Sequence, residues 1–577
     1  MRAMTASVTQ RNSHTDDNAP APRDLALDYW RALGAPRHRI ARALHCDEAD
    51  IAGSAPETAG LPVAVSAVPW AQRTANALIR KGLTRPPTEQ LVFAAGEGAL
   101  TAGDVAAIVG RVCAGLAARG AGKGTRIAVD ATQRLESYLV TLAALLQGAT
   151  VVRLGDTVGP KALRAMIEAA PAMLTFSDRL DVIGDRIEAG EGVPLDAFAE
   201  FAGACPDPSD DFWSALPTVT PDDAAFVGFT SGSTGAPKAM QTSHEAVFRS
   251  TEIAQRAFGF DASDIFCTPT DFTALSAFRS LVTLPFASGG RVVIPDAEAR
   301  DNPIALALLC ERYGVTQLTA VPGVLRAFAK AGARVTREEL ASVRTVFSGS
   351  GVLDFATADL LRERFSLPVV DYYGGREFAT AAYSDPDTPH TMSAGGGFLR
   401  DCLAILVDDN RQPVAPGEVG EIVVHSDCMT LSPLASIETK GKWAGWHFTG
   451  DLGRFLPGGR LEIVGRQKDI IKTAEGTLVS PAEIEGALNA LDWVAEACVF
   501  SWTDAHGIER IGAAMVGAPA DIDAERTAKA AIHDALGPYK TPARILVLDE
   551  LPRLGRGKPD KARLRQLLTQ TEKALSP

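Results

Sequence analysis

One stretch constrains this chain more than any other. An apolar run at 224–229 leads into Thr230-Ser231-Gly232-Ser233-Thr234-Gly235-Ala236-Pro237-Lys238, and an amphipathic segment follows to about Phe258. The apolar run reads as a buried strand. The later segment reads as a helix, with Thr242 and Glu245 at capping-box spacing. Glycines and small hydroxyl residues between strand and helix leave backbone N–H groups free to converge on phosphate oxygens, and Lys238 adds positive charge. The stretch is not a Walker A loop, because Pro237 precedes the lysine and Ala239 follows it. Taken alone, it is also compatible with an ordinary polar turn.

The surrounding pattern alternates strands and helices. From Leu91 onward, Thr101-x-x-Asp104 marks a helix start, and Val105, Ile108, Val109, Val112 and Leu116 form one apolar face ending at Gly120. Strands follow at 126–131 and 150–154, with a helix at 135–146 between them. Similar units recur through 265–266, 291–294, 315–321, 345–347 and 369–373. Repeated units of this kind favour an α/β domain with parallel sheets covered by helices. Pro457-Gly458-Gly459-Arg460 is a hairpin turn, and beyond Asp469 a compact β/α module runs to the end.

The organisation expected is a polar disordered tail at 1–23, an N-terminal extension at 24–90 with helical spacing at 25–44 and 70–82, a large domain at 91–467 and a small α+β domain at 468–577. At 577 residues the chain exceeds one small core. A net charge of -13 argues against a nucleic-acid surface. Eight cysteines without C-x-x-C pairs read as core filler, suiting a reducing cytoplasm and giving no thiolate metal site. No signal peptide and no apolar run of spanning length is visible.

Four further motifs follow the loop in order: Tyr373-Gly374-Gly375-Arg376-Glu377, Thr449-Gly450-Asp451, Gly465-Arg466-Gln467-Lys468-Asp469 and Pro552-Arg553-Leu554-Gly555-Arg556-Gly557-Lys558. With the loop they resemble the adenylate-forming superfamily of acyl-CoA synthetases, peptide-synthetase adenylation domains and luciferases, over roughly residues 91–568. The resemblance implies ATP-dependent activation of a carboxylic acid as acyl-AMP, then transfer to CoA or a carrier thiol. It implies ATP and Mg²⁺ as cofactors and a small C-terminal domain that pivots at Lys468.

By the same resemblance, Thr230, Ser231, Gly232, Ser233, Thr234, Gly235 and Lys238 hold phosphates, and Ser350, Tyr373 and Gly374 border the adenine. Asp451 and Arg466 meet the ribose or phosphate, Glu377 holds Mg²⁺, and Lys558 bridges carboxylate and α-phosphate. Each has a plainer reading. Tyr373 can be a core tyrosine with Tyr372 in its place, Asp451 a turn residue, Glu377 a surface carboxylate opening a helix, and Lys558 part of a solvated basic tail.

Asp271, Phe272, Ser348, Gly375 and Arg376 fall where the acid would bind. Asp271 suits a substrate ammonium, or else caps a helix beginning at Thr273 or pairs with Arg279. Arg376 departs from the family's usual threonine, Ala239 from a glycine and Leu554 from a threonine, and Ser348-Gly349-Ser350-Gly351 stands where the family has Gly-Gly-Ala/Glu. At Arg376 a phosphate contact, a salt bridge and recognition of an anionic substrate group all stay open. So do two other classes: an adenylating enzyme that acts without a thioester or on another oxyacid, and a silent nucleotide-binding partner.

Overall fold

The computed structural model describes residues 68–575, apart from 97, 156–157, 185–190, 210, 232–236, 271–272, 388–389, 400–401, 416, 427, 430–445, 473–477, 505–507, 519–522 and 555–557. Side chains at 230–231, 237–238, 472, 478, 554, 558 and 572–575 are also outside the description. The expected tail at 1–23 and the helical stretch at 25–44 therefore lie outside it.

The large domain is built on two sheets with helices between them. The six-stranded sheet runs Glu191–Val193, Leu174–Phe176, Arg126–Asp130, Thr150–Leu154, Ala224–Ser231 and Pro237–Ser243, parallel until its last pair. Helices Ala75–Leu83, Ala102–Ala118 and Leu135–Leu146 fill the space towards the second sheet. Ile79, Val109, Val112, Leu142 and Leu145 are fully buried there, in one core with Val129, Phe226, Val92 and Ile294 of the two sheets. The capping box expected at Thr101 and Asp104 forms as read, each side chain bonded to the other's backbone N–H.

The second sheet has thirteen strands among the described residues, with Gly98–Thr101 antiparallel to Gln90–Ala94 at its edge, and changes character midway. Gln90–Ala94, Arg291–Ile294, Ile265–Cys267, Gln317–Ala320, Thr345–Ser348 and Val369–Gly375 pair in parallel. Helices Pro303–Tyr313, Pro322–Lys330 and Phe355–Phe365 cover the face opposite the first core. Beyond Val369–Gly375 the pairing is antiparallel, through Ala379–Tyr383, Gly397–Leu399, Arg460–Arg466, His447–Leu456, Val419–Ser426 and Cys402–Val407. The β-α spacing reports the parallel half only. The antiparallel half closes its own core around Trp446, Ile405, Val424 and Leu461.

The small domain has a three-stranded sheet of Glu496–Thr503, Glu509–Val516 and Arg544–Leu548, with helices Pro481–Asn489, Ala524–Leu536 and Lys561–Leu575. Ile484, Leu488, Val499, Met515 and Ile532 form its core. Lys330 of the large domain donates to the carbonyls of Asn489 (2.8 Å) and Leu491 (3.3 Å), at the end of the first of these helices. A cation there complements the helix C-terminus. The seven cysteines among the described residues are all buried and unbridged. No described helix is long and apolar enough to cross a membrane.

Candidate active site

Strand Val369–Gly375 is the seam of the large sheet: parallel to Thr345–Ser348 on one side and antiparallel to Ala379–Tyr383 on the other. A crevice opens at the carboxyl ends of strands where a sheet changes its winding, and ligands favour such places. The Tyr373–Glu377 motif lies at that end. The ladder is irregular between Tyr373 and Gly374, and a Cβ at Gly374 would stand 2.2 Å from the Ala379 carbonyl oxygen. Only glycine fits this approach. Arg376 and Glu377 follow in a turn, so Glu377 does not open a helix, and its Oε2 folds back beside Gly375.

Three of the expected residues meet here. Tyr373 Oη donates to Asp451 Oδ2 at 2.9 Å, and Arg466 Nε stands 2.8 Å from Asp451 Oδ1. The hairpin expected at Pro457–Arg460 forms, and a bulge at Leu452/Gly453 shifts its ladder so that Asp451 faces Arg466. Gly450, at a φ of 69°, turns the strand so that its N–H reaches Glu421 Oε1 (3.0 Å) while Asp451 N–H bonds Thr449 Oγ1 (3.1 Å). Burial, then the Asp451 carboxylate, push the Tyr373 phenol well above its ordinary pKa, so it stays a neutral donor. The Asp451 side chain is 13% exposed and that of Arg466 52%.

The glycine- and hydroxyl-rich loop sits differently from the reading. Ala224–Ser231 and Pro237–Ser243 pair as a hairpin, with Thr230 opposite Lys238, so a second strand separates the loop from helix His244–Phe258. The helix is capped by Ser243, whose Oγ accepts from Ala246 N–H at 3.0 Å, and Thr242 belongs to the strand. Alternation across that strand puts Thr242 and Ser243 on opposite faces, which spacing alone does not reveal. Gly232, Ser233, Thr234 and Gly235 lie outside the described residues, as do the side chains of Thr230, Ser231, Lys238 and Lys558. The Lys558 backbone pairs with Leu554 in a short hairpin. Lys468 is exposed on the single turn Gln467–Asp469 after the Arg466 strand.

Asp271 and Phe272 also lie outside the described residues. The helix expected from Thr273 starts at Leu275, after Ala274. Ser348 is fully buried, while Ser350 is exposed at a φ of 68°. Between them, a Cβ at Gly349 would stand 2.1 Å from the Tyr372 ring.

Asp371, which sequence reading passed over, lies beside Ser348 in register and is 2% exposed. Its Oδ2 accepts from Met392 N–H at 2.8 Å. A lone aspartate in an otherwise apolar strand was the available signal. Burial outweighs that hydrogen bond and pushes the carboxyl up to about 7 from an ordinary 3.8. Between these values unfolding releases a proton, so this group's contribution to stability is full below about pH 4 and lost as pH rises to about 7. The melting temperature of Asp371→Asn, relative to wild type, is therefore expected to climb across that window and level off above it. A difference independent of pH would contradict this.

Sequence comparison places these residues in a known setting. The profile described as AMP-binding enzyme matches residues 79–432, and AMP-binding enzyme C-terminal domain matches 483–558. The 3-hydroxybenzoate–CoA ligase of Aromatoleum sp. (strain CIB) is 26% identical over 519 residues, 86% of this chain and 97% of that protein. The L-proline–[L-prolyl-carrier protein] ligase of Streptomyces coelicolor is 29% identical over 507 residues, 81% and 92% of the two chains. The crystal structure of the anthranilate CoA ligase AuaEII with anthranoyl-AMP shares the fold, with a TM-score of 0.78 at 21% identity over 87% of this chain and 98% of that one. With one profile spanning more than half its length, the chain belongs to the AMP-binding enzyme family, within the adenylate-forming superfamily its five motifs resemble.

Proposed function

We propose that this protein is an AMP-forming ligase that activates a carboxylic acid with ATP and passes the acyl group to a thiol, of CoA or of a carrier protein. The observation that carries the reading is the Tyr373–Asp451–Arg466 chain at the sheet's switch point, where the seam strand meets a hairpin distant from it in sequence. A carboxylate oxygen of the acid forms a bond to the α-phosphorus. The bond from that phosphorus to the bridging oxygen breaks, and pyrophosphate leaves with the electron pair. Two anions must meet, so positioning and compensation of charge supply most of the catalysis.

In this reading the loop from Thr230 to Lys238, with Ser231, Gly232, Ser233, Thr234 and Gly235, holds the β- and γ-phosphates. Tyr373, Gly374 and Ser350 border the adenine, and Asp451 and Arg466 take the ribose. Lys558 lies between the reacting anions, and Lys468 is the pivot. Asp271, Phe272, Ser348, Gly375 and Arg376 surround the acid. Glu377 fits Mg²⁺: its half-buried carboxylate is a hard oxygen donor, and no cluster of three His, Cys, Asp or Glu stands among the described residues, so phosphate oxygens and water would complete the shell. When bound, Mg²⁺ would neutralise phosphate charge. Relatives named for CoA and carrier-protein ligation support a thiol as acceptor.

The test is ATP–pyrophosphate exchange across a panel of acids, followed by trapping with CoA. Absence of exchange with every acid would overturn the reading; exchange without thioester formation would move the acceptor to an amine or hydroxyl. Asp451→Ala is expected to raise the KM for ATP by about 10–100-fold with a smaller change in kcat, because ribose contacts form in ground and transition states alike. A KM at the wild-type value would remove Asp451 from the nucleotide site.

A further inference from the structure

Lys330 ends helix Pro322–Lys330 of the large domain, yet its ammonium donates to three carbonyls of the small domain. These belong to Asn489 (2.8 Å), Leu491 (3.3 Å) and Val494. An ammonium carries three donors and no acceptor, so this set satisfies it completely. Asn489 is the last residue of helix Pro481–Asn489, where the final carbonyls lack partners within the helix and gather its negative end. Burial holds the Lys330 pKa below the ordinary 10.5, an effect that Asp354 of the large domain and Asp492 of the small one oppose. Lysine seldom leaves water, and here it does so only against the other domain.

A second contact lies beside the first. Arg326, one turn earlier on the Lys330 helix, pairs with Asp354 at 3.2 Å. Asp354 is itself fixed, because its Oδ1 caps helix Phe355–Phe365 by accepting from Thr357 N–H at 2.9 Å. A Cβ at Gly486, midway along helix Pro481–Asn489, would stand 3.7 Å from Asp354 Cβ. Two helices of the large domain thus seat one helix of the small domain, at its middle and at its end. The bonds from Lys330 run from one nitrogen to one helix end, so turning the small domain away breaks all three together.

Resting on the adenylation reading and on a small domain that pivots at Lys468, we propose that Lys330 is a positioning residue. Its three bonds hold the small domain, and with it the Lys558 hairpin, in the orientation of this structure. That orientation serves one of the two steps, acid activation or acyl transfer, and release of Lys330 admits the other.

The full-length protein carrying Asp354→Cys and Gly486→Cys tests the orientation, because the separation of the two Cβ positions suits a disulfide. The seven described native cysteines are buried and do not compete. Mild oxidation is expected to form the 354–486 cross-link, found by mass spectrometry and reversed by dithiothreitol; its absence overturns the proposal. The step that the cross-linked protein retains, read by pyrophosphate exchange before and after reduction, is the one this orientation serves. Without the added cysteines, two rates are compared: pyrophosphate exchange and consumption of a ready-made acyl-adenylate. Lys330→Met should shift their ratio about 10-fold away from the retained step, the scale of losing hydrogen bonds to a charged group. Lys330→Arg keeps charge and donors and should recover part of it. A ratio unmoved, or moved towards the retained step, overturns the proposal and leaves adenylation standing. Loss of both rates in proportion, with a fall in melting temperature, assigns Lys330 to the fold and overturns it too. Exchange with no acid removes the adenylation reading itself. Lys330 is then judged by the cross-link alone, which should form more slowly in Lys330→Met; equal rates overturn its role.

Discussion

Replacing Lys558 by alanine is expected to slow acyl-adenylate formation by about 10²–10³-fold, the loss seen when one donor is removed from developing charge. In the proposed reaction the acid's carboxylate and the α-phosphate repel each other as they approach, and an ammonium placed between them would offset that repulsion at the moment of bond formation. The backbone hairpin that pairs Leu554 with Lys558 gives the residue a defined mount beside the three-residue segment 555–557, which contains two glycines. The melting temperature should stay near that of wild type, because lysine is rarely a core residue and large stability losses need a core, cap or network to break. Consumption of a ready-made acyl-adenylate should suffer far less, since the phosphorus–oxygen bond has already formed. Pyrophosphate exchange and adenylate consumption measured on the same preparation decide it. Exchange at the wild-type rate would take Lys558 out of the reaction.

Glu377→Gln is expected to lower turnover by about 10–100-fold and to shift the magnesium dependence to higher concentration, the scale of losing one contact to a charged group. An amide keeps the shape of the side chain and one carbonyl oxygen but removes the charge that a hard divalent cation prefers. Glu377 lies in the turn after the seam strand with its Oε2 beside Gly375, and a substitution of the same shape has little reason to disturb the fold. A magnesium titration at saturating ATP reads the effect. A curve superimposable on that of wild type would exclude the carboxylate as a metal ligand.

Much of the local structure was legible in the residues. Thr101 and Asp104 announced their capping box, and Pro457-Gly458-Gly459-Arg460 its turn, because these signals depend on neighbours within a few positions. The same locality misled at Thr242. A hydroxyl three residues before Glu245 has the right spacing, yet the adjacent Ser243 caps the helix, because pairing with the preceding strand claims Thr242. The antiparallel half of the large sheet was not foreseen either: short alternating strands carry little information about which of them will pair.

The sequence alone determined the family, the order of the five motifs and the kinds of group available for chemistry on phosphates, because residue type and spacing survive without coordinates. It could not say that Tyr373, Asp451 and Arg466 form one hydrogen-bonded chain, since Tyr373 and Asp451 lie 78 positions apart and meet only through the sheet. Nor could it single out Asp371 and Arg279 from other charged residues. An aspartate or arginine costs little in water, and it was packing that withdrew both from solvent, leaving one carboxyl holding its proton to about pH 7 and one guanidinium whose Nε has no partner among the described residues. Burial and partnership belong to the whole fold, so those two groups became visible only in the tertiary structure.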